Sequence, residues 1–322
     1  MNSSSESTRP LREKAPERLR VVVLMGGPDA EHEVSLRSGA QVLLALQASG
    51  LEATSLVVDR PEVEALRGLD ADVVFPVLHG PFGEGGPLQE RLEAAGVAFV
   101  GCGSSASRLG MDKLACKRIV SAVGVPTPEA EPLVPGMPTR IEPPAVIKPI
   151  DDGSSVGVRL CDSPRDVAEA RKELEPRFER LMIERRIRGR EITVGLLDGH
   201  PLPIIEIVPA KGFYDFEAKY LRDDTRYLVD PPIEPRFADA CRHHAVAAWN
   251  AIGCRDLARV DFLLDHDGPW FLEINTMPGM TDHSLLPKAA AKAGCSMPVL
   301  CRSLVERAWS RGARTAAATI EA

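Results

Sequence analysis

A run of apolar residues near the start of the chain constrains its fold most strongly. Residues Leu19–Met25 (LRVVVLM) have the pattern of a strand that is buried on both faces of a parallel sheet. Ser35 is a predicted N-cap for the helix that follows and ends at Gly50. The other candidate strands of this part of the chain lie at 56–58, 72–78 and 97–100. Strands that alternate with helices predict a doubly wound, mostly parallel first domain that ends near residue 105.

The remainder of the chain is organised differently. A helix is predicted over 112–123, and a proline-rich linker follows it at 126–144. Short strands separated by glycine turns then lie at 145–148, 157–160, 181–184, 191–197 and 202–208. A further helix over 237–251 ends at Gly253 and leads to two strands around the turn DHDG at 265–268. This order of elements indicates mixed helices and strands without an internal repeat.

Composition and charge exclude several classes of protein. The chain has 322 residues, of which 44% are apolar and 26% charged, the balance of a globular protein long enough for two or three packed units. A net charge of −7 argues against nucleic acid as a partner. The seven cysteines are scattered without a CxxC pair, which predicts reduced thiols. Because neither an apolar leader nor a membrane-spanning run is present, we expect a cytoplasmic protein with no membrane insertion.

The segments ARVDFLLD (258–265) and FLEINTMPGM (271–280) carry the strongest chemical signal. Alternate residues of a strand share a face, so Arg259 and Asp261 lie on one side, as do Glu273 and Asn275. A hairpin loop with an odd number of residues, centred on Asp267, places Asp261 opposite Glu273 and Arg259 opposite Asn275. Two facing carboxylates repel unless a cation lies between them, and these oxygen ligands suit Mg²⁺. The alternative is a solvated hairpin face, which the apolar neighbours disfavour.

The segment KPIDDGSSVGV (148–158) carries a second signal. Lys148 follows an apolar strand, and Gly153 and Gly157 allow the next loop to fold over phosphates with backbone N–H groups as donors. The loop lacks the order of residues found in a P-loop. Taken alone it is also compatible with an ordinary turn.

Two polar residues follow strands of the first domain at the edge where ligands of α/β proteins tend to bind. Glu31 lies in GGPDAEHEVS (26–35), which lacks the glycine fingerprint of a dinucleotide site, and His79 ends the strand FPVLHG. Helix capping by Glu31 and a structural role for His79 are the alternatives. Further along, FYDFEAKYL (213–221) mixes aromatic and charged residues without a regular period, which is typical of an ordered lid or of a surface loop.

Seven segments, in order between Val21 and Val305, together resemble one family. They are GGPDAEHEVSLRSG, LHGPFGEGGPLQ, MDKLACK, IKPIDDGSSVGV, FYDFEAKYL, LARVDFLLD and EINTMPGMTDHSLLP. The family is that of the D-alanine–D-alanine ligases of the ATP-grasp superfamily. The resemblance implies an α/β and α+β fold, in which an N-terminal Rossmann-like parallel-sheet domain precedes a two-subdomain ATP-grasp fold. The predicted divisions are an arm at 1–18 that is too polar to form a core and is expected to be disordered, the N-terminal domain at 19–105, the central subdomain at 106–185, the C-terminal subdomain at 186–312 and a tail at 313–322.

The resemblance also implies the reaction and its small molecules. It predicts ATP-dependent ligation of two D-alanine molecules through a D-alanyl phosphate, for peptidoglycan precursor synthesis. ATP is the expected co-substrate and Mg²⁺ the expected metal, with two ions bound and Mn²⁺ as an alternative. The sequence leaves the oligomeric state open, and a homodimer is one expectation. Related ligases that use D-lactate or D-serine as second substrate, and a non-catalytic ATP-grasp protein that binds nucleotide, are the alternative functions.

Carried over residue by residue, the resemblance assigns roles around both substrates. On ATP, the expected contacts are Lys113, Lys148 and Lys219 with phosphates, Glu184, Ile187 and Phe213 with the base, and Glu191 with the ribose. Asp261, Glu273 and Asn275 are the expected metal ligands. The first D-alanine is expected to bind through its ammonium to Glu31, which is linked to Ser154 and Tyr220, and His79 is expected to lie beside this substrate. Arg259 and the Gly279 N–H are expected to stabilise the oxyanion of the tetrahedral intermediate. Ser284 and Leu285 are expected to bind the carboxylate of the second D-alanine.

Two departures from the family pattern affect the nucleotide region. Asp151 and Asp152 precede GSSVG where a basic or amide residue and then Glu are usual, which predicts weaker ATP binding through the added negative charge. Arg185 and Arg186 stand where Lys and an aromatic residue are common, so the usual stacking on adenine is not expected there. Neither departure removes an expected catalytic group.

Overall fold

The computed structural model describes residues 19–209 and 224–320, with side chains up to residue 312. No helix within these residues combines the length and apolar character that a bilayer crossing requires. The predicted arm at 1–18 and the predicted lid at 213–221 lie outside the described residues. The strands form three sheets, and each sheet takes its strands from one continuous part of the chain.

The first sheet is parallel, which confirms the prediction of a parallel sheet in the first part of the chain. Its strands are β1 (Arg20–Gly26), β2 (Glu52–Val58) and β3 (Val73–Pro76), in the order β2-β1-β3. The helices of this part are α1 (His32–Ala48), α2 (Val63–Arg67), α3 (Gly80–Gly83) and α4 (Pro87–Ala95). The segment expected as a strand at 97–100 makes one parallel bridge, between Val74 and Phe99. β1 is central because its side chains are apolar on both faces.

Ser35 does not cap α1, contrary to the prediction. The helix begins at His32, and Ser35 lies one turn inside it and is fully buried. Its hydroxyl accepts a hydrogen bond from the Gly26 N–H at 2.9 Å and donates one to the Val77 carbonyl at 2.8 Å. Serine favours a cap when the nearest unpaired N–H groups belong to its own helix, but here the partners lie at the ends of strands. Ser35 therefore joins α1 to the carboxyl edge of the first sheet.

The central sheet is antiparallel and smaller. Two helices precede it, α5 (Ser104–Met111) and α6 (Lys113–Ala122). The sheet and its helix comprise β4 (Ala130–Leu133), β5 (Ala145–Pro149), β6 (Arg159–Cys161), α7 (Pro164–Leu174) and β7 (Leu181–Arg185), with strand order β4-β7-β5-β6. The sequence analysis missed α7, although Ser163 and Asp166 form a capping box at its start. Ala170 and Leu174 of α7 pack on the apolar side chains of β5 and β6.

The third sheet is the largest and also antiparallel. Its strands are β8 (Arg190–Leu197), β9 (His200–Pro201), β10 (Ile205–Val208) and β11 (Arg226–Val229), then, after helix α8 (Pro235–Ile252), β12 (Leu257–Leu264) and β13 (Pro269–Asn275). The order is β11-β10-β8-β12-β13, with β9 paired to β8. Residues of α5, α6 and α8 share a core with this sheet, among them Ala106, Cys116 and Trp249. The division at residue 106 stays a prediction.

The last two helices connect the third sheet to the first. They are α9 (Leu285–Lys292) and α10 (Met297–Ile320). Leu304 and Val305 of α10 lie in one core with Val42 and Leu46 of α1. Buried Asp256 adds a polar connection, since it accepts hydrogen bonds from the Arg311 guanidinium at 2.6 and 2.7 Å and from the Gly101 N–H at 2.8 Å. The first and third sheets are thereby held in a fixed relation, with the carboxyl edge of the first facing the third.

Candidate active site

Two cavities meet between the sheets. The first, of about 770 Å³, is bounded by α1, the loop after β13 and the GSSVG loop. The second, of about 650 Å³, lies between the central and third sheets. Both have the size of small-molecule sites. Lys113, Asp152, Gly153 and Glu273 line both cavities, and we call these four residues the shared wall. Molecules bound in the two cavities would therefore approach each other at this wall.

The hairpin of β12 and β13 places its polar residues opposite each other, as predicted. Asp261 pairs with Glu273, and Arg259 pairs with Asn275. Arg259, Glu273 and Asn275 line the first cavity, whereas Asp261 and Glu273 line the second. The four side chains thus form the floor on which the cavities meet.

The register of this hairpin arises in a way that the sequence analysis did not predict. We expected an odd loop centred on Asp267, but Leu264 pairs directly with Pro269, which leaves the even turn Asp265–Gly268. A bulge follows, because Phe262 pairs with Phe271 and the next pair upstream is Asp261 with Glu273, so that Leu272 is an extra residue. The bulge therefore brings Glu273 opposite Asp261.

Asp261 is fixed by neighbours on two strands. Its carboxylate accepts hydrogen bonds from the Arg259 guanidinium at 2.8 and 2.9 Å and from the Thr193 hydroxyl at 2.6 Å. Thr193, which the sequence analysis missed, lies directly opposite Asp261 on β8. The alternation of residues along β8 could have predicted the face of the sheet on which Thr193 lies. Only the pairing of β8 with β12 shows that Thr193 contacts Asp261. A carboxylate with these contacts still has lone pairs for a metal, and with Glu273 and Asn275 it gives an oxygen-only donor set that fits Mg²⁺.

Glu31 and Ser154 meet at the carboxyl edge of the first sheet. The Ser154 hydroxyl donates a hydrogen bond to Glu31 Oε1 at 2.8 Å, which confirms the predicted link. Burial raises the pKa of Glu31, and the Ser154 hydrogen bond opposes that rise. Ser154 and Ser155 have φ values of 55° and 59°, a conformation that side chains with a Cβ rarely adopt. The loop therefore holds Ser154 towards Glu31 in a strained backbone conformation.

His79 and Glu84 line the first cavity and are buried without full partners. Burial lowers the pKa of His79 to about 4, so the ring is neutral, and its Nε2 has no hydrogen-bond partner among the described residues. Glu84 Oε1 accepts a hydrogen bond from the Gly80 N–H at 3.2 Å, whereas Oε2 has no partner within the described part of the chain. Burial and the charge of Glu31 raise the pKa of Glu84 to about 8. The sequence analysis missed Glu84, although it lies in the segment LHGPFGEGGPLQ.

We expect Glu84 to make stability depend on pH. The unfolded carboxyl ionises near its ordinary pKa of 4.5, whereas the folded one stays protonated up to about pH 8. The unfolded state alone loses a proton in this window, so the free energy of unfolding should fall by up to about 1.4 kcal/mol per pH unit as pH rises. Glu84→Gln should remove this contribution. Urea denaturation from pH 5 to 8 measures it, with exposed Glu142→Gln as control. Parallel profiles for wild type and Glu84→Gln would contradict the prediction.

The loop after β13 carries three of the predicted residues into the first cavity. The Ser284 hydroxyl lies 2.8 Å from the Thr281 hydroxyl and accepts a hydrogen bond from the Thr281 N–H at 3.0 Å. A Cβ on Gly279 would lie 2.8 Å from the Ser284 hydroxyl, so only glycine fits this approach without a shift. Leu285 is the first residue of α9, where the backbone N–H groups have no carbonyl partner within the helix and favour an anion. The loop thus gathers hydroxyl and N–H donors at one end of the cavity.

The second cavity contains a buried ion cluster. The Glu184 carboxylate lies 2.6 Å from Lys148 Nζ and 3.0 Å from Lys117 Nζ. Burial raises the pKa of Glu184, but the two ammonium groups lower it further and hold it below its ordinary value. Glu184 thus fixes two lysines, and its predicted contact with adenine stays a prediction. Ile187 and Glu191 line the same cavity, as expected for base and ribose contacts that also stay predictions.

Both departures from the family pattern have partners in the structure. Asp151 lies 3.1 Å from the Arg180 guanidinium, so its added negative charge is offset by a neighbouring cation. Arg185 lies with its guanidinium carbon 4.7 Å from the Trp270 ring centre, and Arg186 forms an ion pair with an aspartate at 3.0 Å. The contact with Trp270 thus belongs to the position where Lys is common, whereas Arg186, at the position where an aromatic residue is common, is held in the ion pair.

Of the remaining predicted residues, Lys113 belongs to the shared wall, and the others lie outside the described part of the chain. Lys113 donates a hydrogen bond to the Asp152 carbonyl, and its Nζ lies 3.6 Å from Glu273. Phe213, Lys219 and Tyr220 are outside the described residues. The structure therefore brings every described site residue to one of two adjoining cavities.

Comparison with known proteins gives the family. A model described as the D-ala D-ala ligase C-terminus matches residues 129–306, and one described as the D-ala D-ala ligase N-terminus matches residues 61–102. The D-alanine–D-alanine ligase of Syntrophotalea carbinolica is 40% identical over 291 residues, which cover 89% of this chain and 94% of that protein. The chain belongs to the D-alanine–D-alanine ligase family. It is therefore an enzyme, a ligase, and the predicted family is confirmed.

Solved structures agree with this membership. A D-alanine–D-alanine ligase from Bacillus anthracis, complexed with ATP, is 30% identical and superposes with a TM-score of 0.80 over 92% of this chain and 99% of that one. A D-Ala:D-Ser ligase from Enterococcus faecalis is 25% identical, with a TM-score of 0.79 over 89% of this chain and 98% of that one. The predicted fold class of the D-alanine–D-alanine ligases, a parallel-sheet domain followed by a two-subdomain ATP-grasp fold, is confirmed.

Proposed function

We propose that this chain joins two D-alanine molecules with the energy of ATP, through a D-alanyl phosphate, and forms ADP, phosphate and the dipeptide. The observation that carries the proposal is the shared wall, because the cavity lined by the Glu31–Ser154 pair and the cavity lined by Lys148 have Lys113 and Glu273 in common. Two substrates that react with each other need adjoining sites, and the cavities adjoin at this wall. The family supports the same reaction.

The nucleotide occupies the second cavity in this proposal. Lys148 and Lys113 bind phosphates, and Glu184 holds the Lys148 ammonium in place at 2.6 Å. Ile187 and Glu191 lie along the cavity for the base and the ribose. Asp261, Glu273 and Asn275 would hold Mg²⁺ ions, or Mn²⁺ in their place, which neutralise charge on a phosphoryl group during transfer.

The first D-alanine binds in the first cavity with its ammonium at Glu31. The Ser154 hydrogen bond orients this carboxylate, and neutral His79 lies beside the substrate without adding charge. Its carboxylate oxygen attacks the γ-phosphorus across the shared wall, the bond to the bridging oxygen of ADP breaks, and D-alanyl phosphate forms. Lys113 lies at the wall where that phosphoryl group crosses. Because an acyl phosphate hydrolyses in water, we propose that segment 213–221, with Lys219 and Tyr220, closes the site.

The second D-alanine completes the reaction from the far end of the first cavity. Ser284 and the Leu285 N–H receive its carboxylate, and its neutral amine attacks the acyl carbon. Arg259 and the Gly279 N–H stabilise the tetrahedral oxyanion, a kind of contribution worth roughly 3–4 kcal/mol per donor. Collapse of this intermediate expels phosphate and leaves the dipeptide. We further propose peptidoglycan precursor synthesis as its use, with a cytoplasmic location where ATP is available. The homodimer stays a prediction.

A ligase that uses D-serine as second substrate is the second candidate. The similarity to a D-Ala:D-Ser ligase at 25% identity favours it over D-lactate. The cavity end at Thr281–Ser284 carries hydroxyl groups that would also hydrogen-bond a serine side chain. A non-catalytic nucleotide-binding protein is disfavoured because Arg259, Asp261, Glu273 and Asn275 are all present.

We expect phosphate release from ATP to require D-alanine and Mg²⁺. D-Alanine should support turnover, L-alanine should not, and D-lactate or D-serine should be used only when D-alanine supplies the acyl group. The reason is that a site which holds the ammonium at Glu31 and the reacting carboxylate at the shared wall leaves room for the methyl group in one configuration, while the acceptor site takes a second molecule. Coupled phosphate release with mass spectrometry of the products measures this. Equal turnover with L-alanine would overturn the proposal, and D-alanyl-D-serine as the main product from mixed substrates would favour the second candidate.

A further inference from the structure

Arg37 lines the first cavity, and no carboxylate of the described residues pairs with its side chain. It lies on α1, is exposed, and lines the cavity together with Gln41 one turn further along. Among the side chains of residues 19–209 and 224–312, none forms a hydrogen bond or an ion pair with the Arg37 side chain. An arginine at the mouth of a substrate cavity without such a contact is available to an anionic ligand.

The other two cations that line this cavity are already engaged. Arg259 donates to both oxygens of Asp261, at 2.8 and 2.9 Å. Lys113 donates to the Asp152 carbonyl and lies 3.6 Å from Glu273. Both also lie at the shared wall or the hairpin, where phosphate transfer takes place in the proposed function. Among the described residues, Arg37 is thus the cation of the first cavity that remains for a substrate carboxylate.

The position of Arg37 relative to the loop after β13 is fixed by its neighbour. Ser38 is buried, and its hydroxyl accepts a hydrogen bond from the Met280 N–H at 3.4 Å. This contact holds the turn of α1 that carries Arg37 against the segment between Gly279 and Ser284. That segment leads into the N-terminus of α9, whose N–H groups also favour a negative charge.

We propose that Arg37 binds the carboxylate of the second amino acid from the α1 side, opposite the N-terminus of α9. The inference rests on the proposed function and adds a specificity-determining residue to it. The guanidinium selects acceptors that carry a free carboxylate next to the attacking amine. It also orients the amine towards the acyl carbon, because the carboxylate is held from both sides.

Competition between two acceptors tests this role directly. D-Alaninamide carries the same amine as D-alanine but no carboxylate, so it can accept the acyl group and cannot become an acyl phosphate. With D-alanine, D-alaninamide, ATP and Mg²⁺ in one reaction, mass spectrometry measures the ratio of dipeptide amide to dipeptide. Arg37→Gln should raise this ratio about tenfold or more, because a charge-assisted contact to the acid alone is lost. Arg37→Lys keeps the charge and should shift the ratio less.

The controls separate this role from structural damage. Arg118→Gln removes the same charge from an exposed position of α6 that lines neither cavity, and its ratio should equal that of the wild type. A general loss of structure in Arg37→Gln would lower both products together and leave the ratio unchanged. An unchanged ratio in an active Arg37→Gln protein overturns the inference and leaves the proposed function standing. A wild-type protein that forms neither product overturns both.

Discussion

Replacement of Glu273 by glutamine should lower kcat by at least about 10²-fold while the protein remains folded. Glu273 lines both cavities, lies opposite Asp261 and is 3.6 Å from Lys113, so one neutralised carboxylate changes the charge at the point where the substrates meet. Phosphate release at saturating ATP and D-alanine, repeated over a range of Mg²⁺ concentrations, measures the effect. The half-saturating Mg²⁺ concentration should rise in the same variant.

A charge change at the other end of the hairpin provides the matched control. Asp267→Asn removes one carboxylate charge from the exposed turn, and kcat should stay close to that of the wild type. Circular dichroism and thermal unfolding establish that both variants are folded. If Glu273→Gln unfolds while activity per folded molecule is unchanged, the hairpin carboxylates are structural and the proposed metal site is wrong.

Glu184→Gln is expected to lower the free energy of unfolding by about 3–5 kcal/mol. The substitution leaves Lys117 and Lys148 buried without the carboxylate that lies 3.0 and 2.6 Å from them. Burial already lowers the pKa of Lys117, which shows that its environment disfavours the charged form. Urea denaturation at neutral pH measures the loss, and the KM for ATP should rise because Lys148 is no longer held.

Two further variants make this prediction specific. Lys117→Met should destabilise less than Glu184→Gln, because Glu184 then retains Lys148 as a partner and no buried ammonium is left unpaired. Glu234→Gln breaks the exposed ion pair with Arg236 at 3.0 Å, and its effect should stay below about 1 kcal/mol. A larger loss in Lys117→Met than in Glu184→Gln would mean that the cluster does not depend on its carboxylate.

Local patterns in the sequence predicted the parts of the site that adjoin along the chain or across one hairpin. Alternation along two neighbouring strands indicated which polar residues share a face, and an assumed odd loop then placed Asp261 opposite Glu273, where the structure has them paired. The link between Ser154 and Glu31 came from the family resemblance, and the structure confirms it at 2.8 Å. The loop length was predicted wrongly. An even turn with a bulge at Leu272 and an odd loop without a bulge both pair Asp261 with Glu273, so the sequence pattern does not distinguish them.

Contacts between distant segments could not be predicted from local pattern. Serine is a residue type that favours helix caps, and only the hydrogen bonds of Ser35 with Gly26 and Val77 show that it connects the helix to the sheet. Lys117 lies on α6 and Glu184 on a strand of the central sheet, so the local sequence around either residue does not predict their ion pair. Glu84 has no local signal either, since its raised pKa depends on the packing of the cavity around it.

The core shared by α1 and α10 has a consequence for how the chain is made. Val42 and Leu46 of α1 lie in one core with Leu304 and Val305, so a ribosome finishes the first sheet long before its cover exists. Until α10 has emerged, these side chains lack part of their packing, and the nascent N-terminal domain presents an apolar face. A premature stop after residue 296 would remove no proposed catalytic group, yet the truncated polypeptide could not complete its first core.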